Sequence, residues 1–101
     1  MELMLLGERI DAAEAHRLGI VNQVFPDASF IDEVGERARR LAHGPQAAQA
    51  AIKRGVYFGA GGTLADTLAY ELAAQTTLFL SEDAREGMRA FIEKRAPRFA
   101  Q

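Results

Sequence analysis

The residue types that could do chemistry are few in this sequence and widely spaced. Glu82 and Asp83 are adjacent carboxylates, a pair that could in principle serve as acid and base for adding water. Adjacent helical positions point in diverging directions, however, and two acids behind Ser81 suit the positive end of a helix dipole, so they read as a helix start. His16 and His43 are the only histidines, and neither has a second ligand at metal spacing; both read as solvated or helix-end residues. Gly59-Ala60-Gly61-Gly62 precedes a helix start, where free amides could hold a phosphate. Phosphate loops of the dinucleotide or Walker type follow a strand, and Walker A also needs a Lys and a hydroxyl at fixed offsets. Here a helix precedes and no Gly-Lys-Ser/Thr follows, so the run reads as a helix-to-helix turn with glycines supplying positive φ. Glu14 reads as a capping residue, and Glu71 as a helix-surface group or a buried hydrogen-bond partner, since it interrupts an apolar region. Lys94 and Arg95 are adjacent cations near a helix C-terminus, where positive charge complements the dipole and can meet an anion while still hydrated.

Those groups must be positioned by helices. Ser81 is an N-cap for a helix with Ala84, Met88, Phe91, Ile92 and Arg95 on one stripe and Glu86, Arg89 and Glu93 opposite; Lys94 and Arg95 occupy its last turn and Pro97 ends it. Upstream, Met1 to Leu6 is helix-prone and closed by Gly7, and Asp11-Ala-Ala-Glu14 opens a short helix that Gly19 terminates. Ile20 to Phe25 is the one strand-like run, which needs a partner or remains extended coil. A helix follows Pro26-Asp27 to about His43, with Phe30, Ile31, Val34, Ala38 and Leu41 as its stripe. An alanine-rich helix runs from Pro45 to about Phe58, and Thr63 with Asp66 starts another to about Leu80. That last helix carries Leu64, Leu68, Leu72, Gln75, Thr76 and Phe79 along one side and Ala65, Ala69, Leu78 and Leu80 along a second. An apolar girth of this kind predicts that it is surrounded. The expectation is an all-α array of four to five helices, with at most one short strand near residues 20–25.

Composition narrows the function classes. With 101 residues, 49% hydrophobic and 26% charged, the chain is one domain at most with little room for a large core. Twelve basic residues against fourteen acidic ones give a net charge of −2, which provides no overall attraction to nucleic acid. No cysteine is present, which excludes disulfides, a thiol nucleophile and a thiolate metal site and is compatible with a cytoplasmic location. Met1 to Leu6 lacks a basic flank and is too short for a signal peptide or a membrane span, so no membrane partner is expected.

The sequence E-D-A-R-E-G followed by A-F-I-E-K-R-A-P-R-F resembles the C-terminal signature of the enoyl-CoA hydratase/isomerase (crotonase) superfamily. The opening L-L-G-E-R-I-D-A-A-E-A-H-R-L-G-I-V-N-Q-V-F-P resembles another segment of the same family, so the resemblance covers nearly all of the chain. It implies that residues 1–101 are the C-terminal helical, trimer-building region, with the spiral β/α core and its oxyanion amides and carboxylates upstream of this segment. On that basis the chain has no catalytic residue of its own and is inactive alone. The resemblance implies a parent enzyme that is an acyl-CoA hydratase or lyase of fatty acid metabolism, or another branch of the family such as an isomerase, a dehydratase or a thioester hydrolase, and that assembles as a trimer or dimer of trimers. Its substrate is a coenzyme A thioester, and no covalent cofactor is implied. Lys94 matches the family's basic position that holds the phosphate-bearing end of coenzyme A, with Arg95 beside it. Gln75 departs from the family pattern, since some members carry there an aromatic residue that covers the adenine. The competing class is a helical module without enzymatic activity that binds a partner or itself through exposed apolar faces.

Overall fold

The computed structural model describes residues 1–99 and divides into two compact units, one ending at Arg37 and one beginning at Ala38. Among the described residues there are six α-helices and one 3-10 turn and no strand, so the all-α expectation holds with one helix more than foreseen.

In the first unit, α1 spans Glu2–Leu6 and closes on Gly7, whose φ of 66° lets its amide bond back to Leu3. α2 spans Ala12–Arg17, and the Asp11 carboxylate accepts the Glu14 amide at 2.8 Å, the cap expected from Asp11-x-x-Glu14. Gly19 then turns the chain at φ 73°, with the Gly19 amide on the His16 carbonyl and the Ile20 amide on the Ala15 carbonyl, a Schellman ending. Of the two alternatives for residues 20–25, a paired strand or unpaired coil, the structure shows the second. The Ile20 and Val21 amides both bond to the Ala15 carbonyl, and the Val21 carbonyl lies 3.2 Å from His16 Nδ1. Polar groups that a strand would have offered to a neighbour are used in capping a helix. Further on, the Arg37 guanidinium sits over the Phe25 ring at 5.3 Å. The 3-10 turn at Asp27–Ser29 leads into α3, Phe30–Ala42, whose last residues belong to the second unit. Its expected apolar stripe is not covered: Ile31 and Leu41 are exposed, and Phe30 and Val34 stand at the same level as surface residues.

In the second unit, the end of α3 is sealed by amide side chains: Gln46 donates to the Ala42 carbonyl at 2.7 Å and Gln49 to the Leu41 carbonyl at 2.9 Å. α4 spans Gln46–Gly61, α5 Leu64–Phe79 and α6 Glu82–Glu93, and α5 packs against both α4 and α6. Pro45 is the N-cap rather than the first helical residue. The glycine run does end α4 and lead into α5, as expected, but not with the positive φ expected of it. Gly59 and Gly61 are helical, Gly62 is extended at φ −100°, and none has positive φ. Gly55 and Gly59 of α4 serve close approach: a Cβ on Gly55 would lie 3.1 Å from the Tyr70 ring and one on Gly59 3.2 Å from the Thr67 side chain. Through that contact Tyr70 donates its hydroxyl to the Ala51 carbonyl at 3.1 Å and stacks on Phe58 with ring centroids 5.5 Å apart.

The same packing corrects the expected face of α5. Thr67, Tyr70, Ala74 and Leu78 are the half-buried residues, whereas Leu64, Leu68, Leu72 and Phe79 face outward. Hydrophobicity marked α5 as apolar on two sides, and α4 selected the side with small and hydrogen-bonding residues. Thr63 caps α5 by accepting the Asp66 amide at 3.1 Å, and Ser81 caps α6 by accepting the Ala84 amide at 3.2 Å. Ala90 of α6 is the only described residue that is fully buried, at 2% exposure. Phe91 and Ile92 next to it are 85% and 78% exposed, so this part of the stripe expected on α6 is not covered by the described residues.

Candidate functional site

The chemistry-bearing residues of the second unit gather where α6 ends. Glu93 is its last helical residue, so Lys94 and Arg95 lie just past the last turn rather than in it. Lys94 has φ 53° and ψ 40°, and is the one non-glycine residue with positive φ among those described. Its amide bonds to the Phe91 carbonyl at 3.3 Å and the Arg95 amide to the Ala90 carbonyl at 3.0 Å, a second Schellman ending. A left-handed residue at this point swings the following chain back along the helix, and Pro97 prevents the helix from resuming.

The returning chain is held by Glu86. Its Oε1 accepts Arg95 Nη1 at 2.6 Å and the Arg98 backbone amide at 2.8 Å, and its Oε2 accepts Arg95 Nη2 at 3.0 Å. Arg95 Nε is bonded in turn to Glu93 Oε2 at 2.5 Å. Glu86 is thus not the solvated residue that helical spacing predicts; its side chain is only 17% exposed. The Arg95 guanidinium, followed by the Arg98 amide, lowers its carboxyl pKa from 4.5 to about 2. Hydrogen bonds donated by Arg95 to Glu86 and then to Glu93 hold its charge still more firmly in place. Lys94 differs: its side chain is exposed and makes no hydrogen bond or ion pair among the described residues.

Beside this corner an open apolar groove of about 410 Å³ runs between the start of α4, the end of α5 and α6, with Ala48, Ile52, Leu78, Ala84 and Phe99 in its walls. Phe99 reaches it because the Glu86 grip turns the tail, and a Cβ on Gly87 would lie 3.9 Å from the Phe99 ring. Gln75 also lines the groove, as does Asp83; Glu82 is paired with Arg85 on the surface. The two carboxylates serve the first turn of α6 and do not converge. Glu71 is exposed on the wall of a second groove, of about 450 Å³, between α4 and α5, rather than buried as a hydrogen-bond partner. In the first unit Glu14 and Arg17 pair with each other, and His16 contacts the Val21 carbonyl. His43 contacts the Arg39 carbonyl at 2.7 Å in the second. Among the described residues no group of three His, Asp or Glu gathers as a metal site, and no helix is long and apolar enough to cross a membrane.

Sequence spacing located Lys94 and Arg95 but missed Glu86 and Phe99. Glu86 is nine residues from Arg95, outside the i+3 and i+4 reach that helical pairing uses, and the contact exists only because the chain reverses at Lys94. The one signal available was Pro97, which requires the chain to leave the helix axis.

The groove and the exposed cation at the end of α6 are separate features of the second unit, since Lys94 is not among the residues that line the groove. The family model for enoyl-CoA hydratase/isomerase matches residues 1–101, and the chain belongs to that family. It is 42% identical over 99 residues to a probable enoyl-CoA hydratase of Rhodobacter capsulatus, covering 98% of this chain and 38% of that protein. A 1,2-epoxyphenylacetyl-CoA isomerase of Escherichia coli is 36% identical over 99 residues, again 98% of this chain and 38% of the relative. The crystal structure of an enoyl-CoA hydratase from Mycobacterium tuberculosis superposes with a TM-score of 0.86 at 32% identity, covering 99% of this chain and 40% of the other. The chain therefore spans about two fifths of the length of these relatives.

Proposed function

We propose that this chain is the C-terminal helical part of an enzyme acting on acyl-CoA thioesters, a hydratase or lyase of fatty acid metabolism, working in the cytoplasm. In this reading the spiral β/α core, outside residues 1–101, carries the oxyanion amides and the carboxylates. The helices cover the active site and make the contacts of a homo-oligomer, a trimer or a dimer of trimers. Lys94 meets the phosphate-bearing end of coenzyme A, and Arg95, already paired with Glu86 and Glu93, shapes the turn that presents it. No covalent cofactor is required.

The observation that carries the reading is the family match along the whole chain, together with relatives named as a hydratase and an isomerase of CoA thioesters. The uncovered face of α6, with Phe91 and Ile92, supports the subunit contacts, because apolar surface of that kind is ordinarily buried against a partner. It equally favours the second reading, a helical association module without chemistry.

Crotonyl-CoA hydration separates the possibilities. The enzyme carrying these residues is expected to hydrate it, and the 101-residue chain alone to give the buffer rate. Turnover by the chain alone overturns the placement of the chemistry outside it. Absence of acyl-CoA turnover or binding by the longer protein leaves the association module standing.

A further inference from the structure

We propose that Glu86 is a positioning residue for coenzyme A recognition: by holding Arg95 and the Arg98 amide it keeps Lys94 in the left-handed conformation that presents the ammonium. The inference rests on the reading of Lys94 as the phosphate contact. Two independent features support it. Lys94 occupies a backbone conformation that glycine adopts freely and lysine resists, and such a conformation persists where the surroundings over-determine it. The surroundings here are specific. One carboxylate on the preceding helical turns accepts from both Nη atoms of Arg95 and from the Arg98 backbone, so the residues on the far side of Lys94 are fixed to the helix on its near side. Arg95 also bonds its own Ala96 carbonyl at 3.0 Å, which stiffens the turn further. Glu86, Glu93 and Arg95 are paired with one another by these contacts, Arg98 meets Glu86 through its backbone amide, and the exposed Lys94 side chain has no carboxylate within ion-pair distance among the described residues. A glycine would make the same turn more easily but would have nothing to present.

The test uses the enzyme carrying these residues and two substrates, crotonyl-CoA and crotonyl-pantetheine, which share the reacting end and differ in the phosphate-bearing end. Lys94→Gly and Glu86→Gln are each expected to raise KM for crotonyl-CoA about three- to fivefold, the size of one exposed ion pair, with kcat and the KM for crotonyl-pantetheine unchanged. Lys94→Gly should do so while raising Tm, which a merely structural lysine would not combine with a binding loss. Arg95→Lys, which keeps the charge but loses the two-pronged contact, should reproduce the Glu86→Gln profile and serves if that variant folds poorly. A selective KM effect for Lys94→Gly with none for Glu86→Gln and Arg95→Lys overturns the positioning role and leaves Lys94 as the phosphate contact. No selective effect from any of the three removes Lys94 as well, and equal KM changes on both substrates reduce Glu86 to a stabilising residue.

Discussion

α2 and α6 end in the same way and use different residues to do it. At Gly19 the two closing hydrogen bonds measure 3.0 and 2.9 Å, and at Lys94 they measure 3.3 and 3.0 Å. The turning residue has φ 73° in the first case and 53° in the second. For a side-chain-bearing residue the left-handed conformation costs about 1–2 kcal/mol, a cost that Gly19 does not incur. The segments beyond the two turns are held differently. After Gly19 the backbone has one side-chain contact, His16 with the Val21 carbonyl, Arg37 then meets the Gln23 and Phe25 side chains, and Ile20 is 57% exposed. After Lys94 the chain is tied back by Glu86 at three points. A backbone turn that needs only to reverse direction takes glycine; one that keeps a long cation takes the strain and is braced from outside.

Breaking the brace should have the largest effect. Glu86→Ala removes the shared acceptor of Arg95 and Arg98, and trypsin should then cut after Arg95 and Arg98 much faster than in the parent protein while cleavage after Arg17 stays constant. Exchanging the turning residues sharpens the comparison. Gly19→Ala meets no atom within 4 Å, so its cost is conformational alone, about 1 kcal/mol, read as a roughly fivefold loss of exchange protection at the Ile20 amide. Lys94→Gly should move the Arg95 amide the other way, gaining about 0.5–1 kcal/mol of protection, part of the relieved strain being offset by the greater freedom of glycine in the unfolded chain.

Acid separates the two endings by chemistry. The Glu86 carboxyl has its pKa lowered from 4.5 to about 2 in the folded chain, so its contribution is fully present above the unfolded value and is lost as pH falls through about 2. A carboxyl carbon-13 titration of Glu86 should therefore have its midpoint near pH 2, and Arg95→Ala should raise it. The Gly19 ending has no carboxylate in its closing bonds and should show no matching transition in that window. The smallest effect belongs to Glu82, an exposed first-turn acid paired with Arg85: Glu82→Ala should cost about 0.3–0.5 kcal/mol in thermal unfolding.

The helix ends were legible because they are local. Asp11, Thr63 and Ser81 each reach an amide three residues on, and a pattern of that length is written within four consecutive residues. Lys94 and Arg95 could be singled out for the same reason, from charge placed against a helix end. On α6 the expected stripe through Met88, Phe91 and Ile92 stays exposed while Glu86, Gly87 and Ala90 are the more buried positions, because a stripe states only that apolar surface exists and not what covers it. α5 makes the point most clearly. Two of its sides are apolar, and the side that packs was chosen by Gly55 and Gly59 of α4, whose missing side chains let Thr67 and Tyr70 approach.

The sequence by itself determined the all-helical class, the caps and the family, since each depends on neighbours along the chain or on a contiguous signature. Tertiary structure alone decided that Ile20 to Phe25 forms no strand, that the glycine run stays helical as far as Gly61, and that Glu86 is an anchor rather than a wet surface acid. In each of those cases the deciding partner is a backbone group or side chain brought close by a reversal of the chain. Hydrogen bonding and packing then override the preference of the isolated segment, because a contact made across a turn has no fixed spacing in sequence.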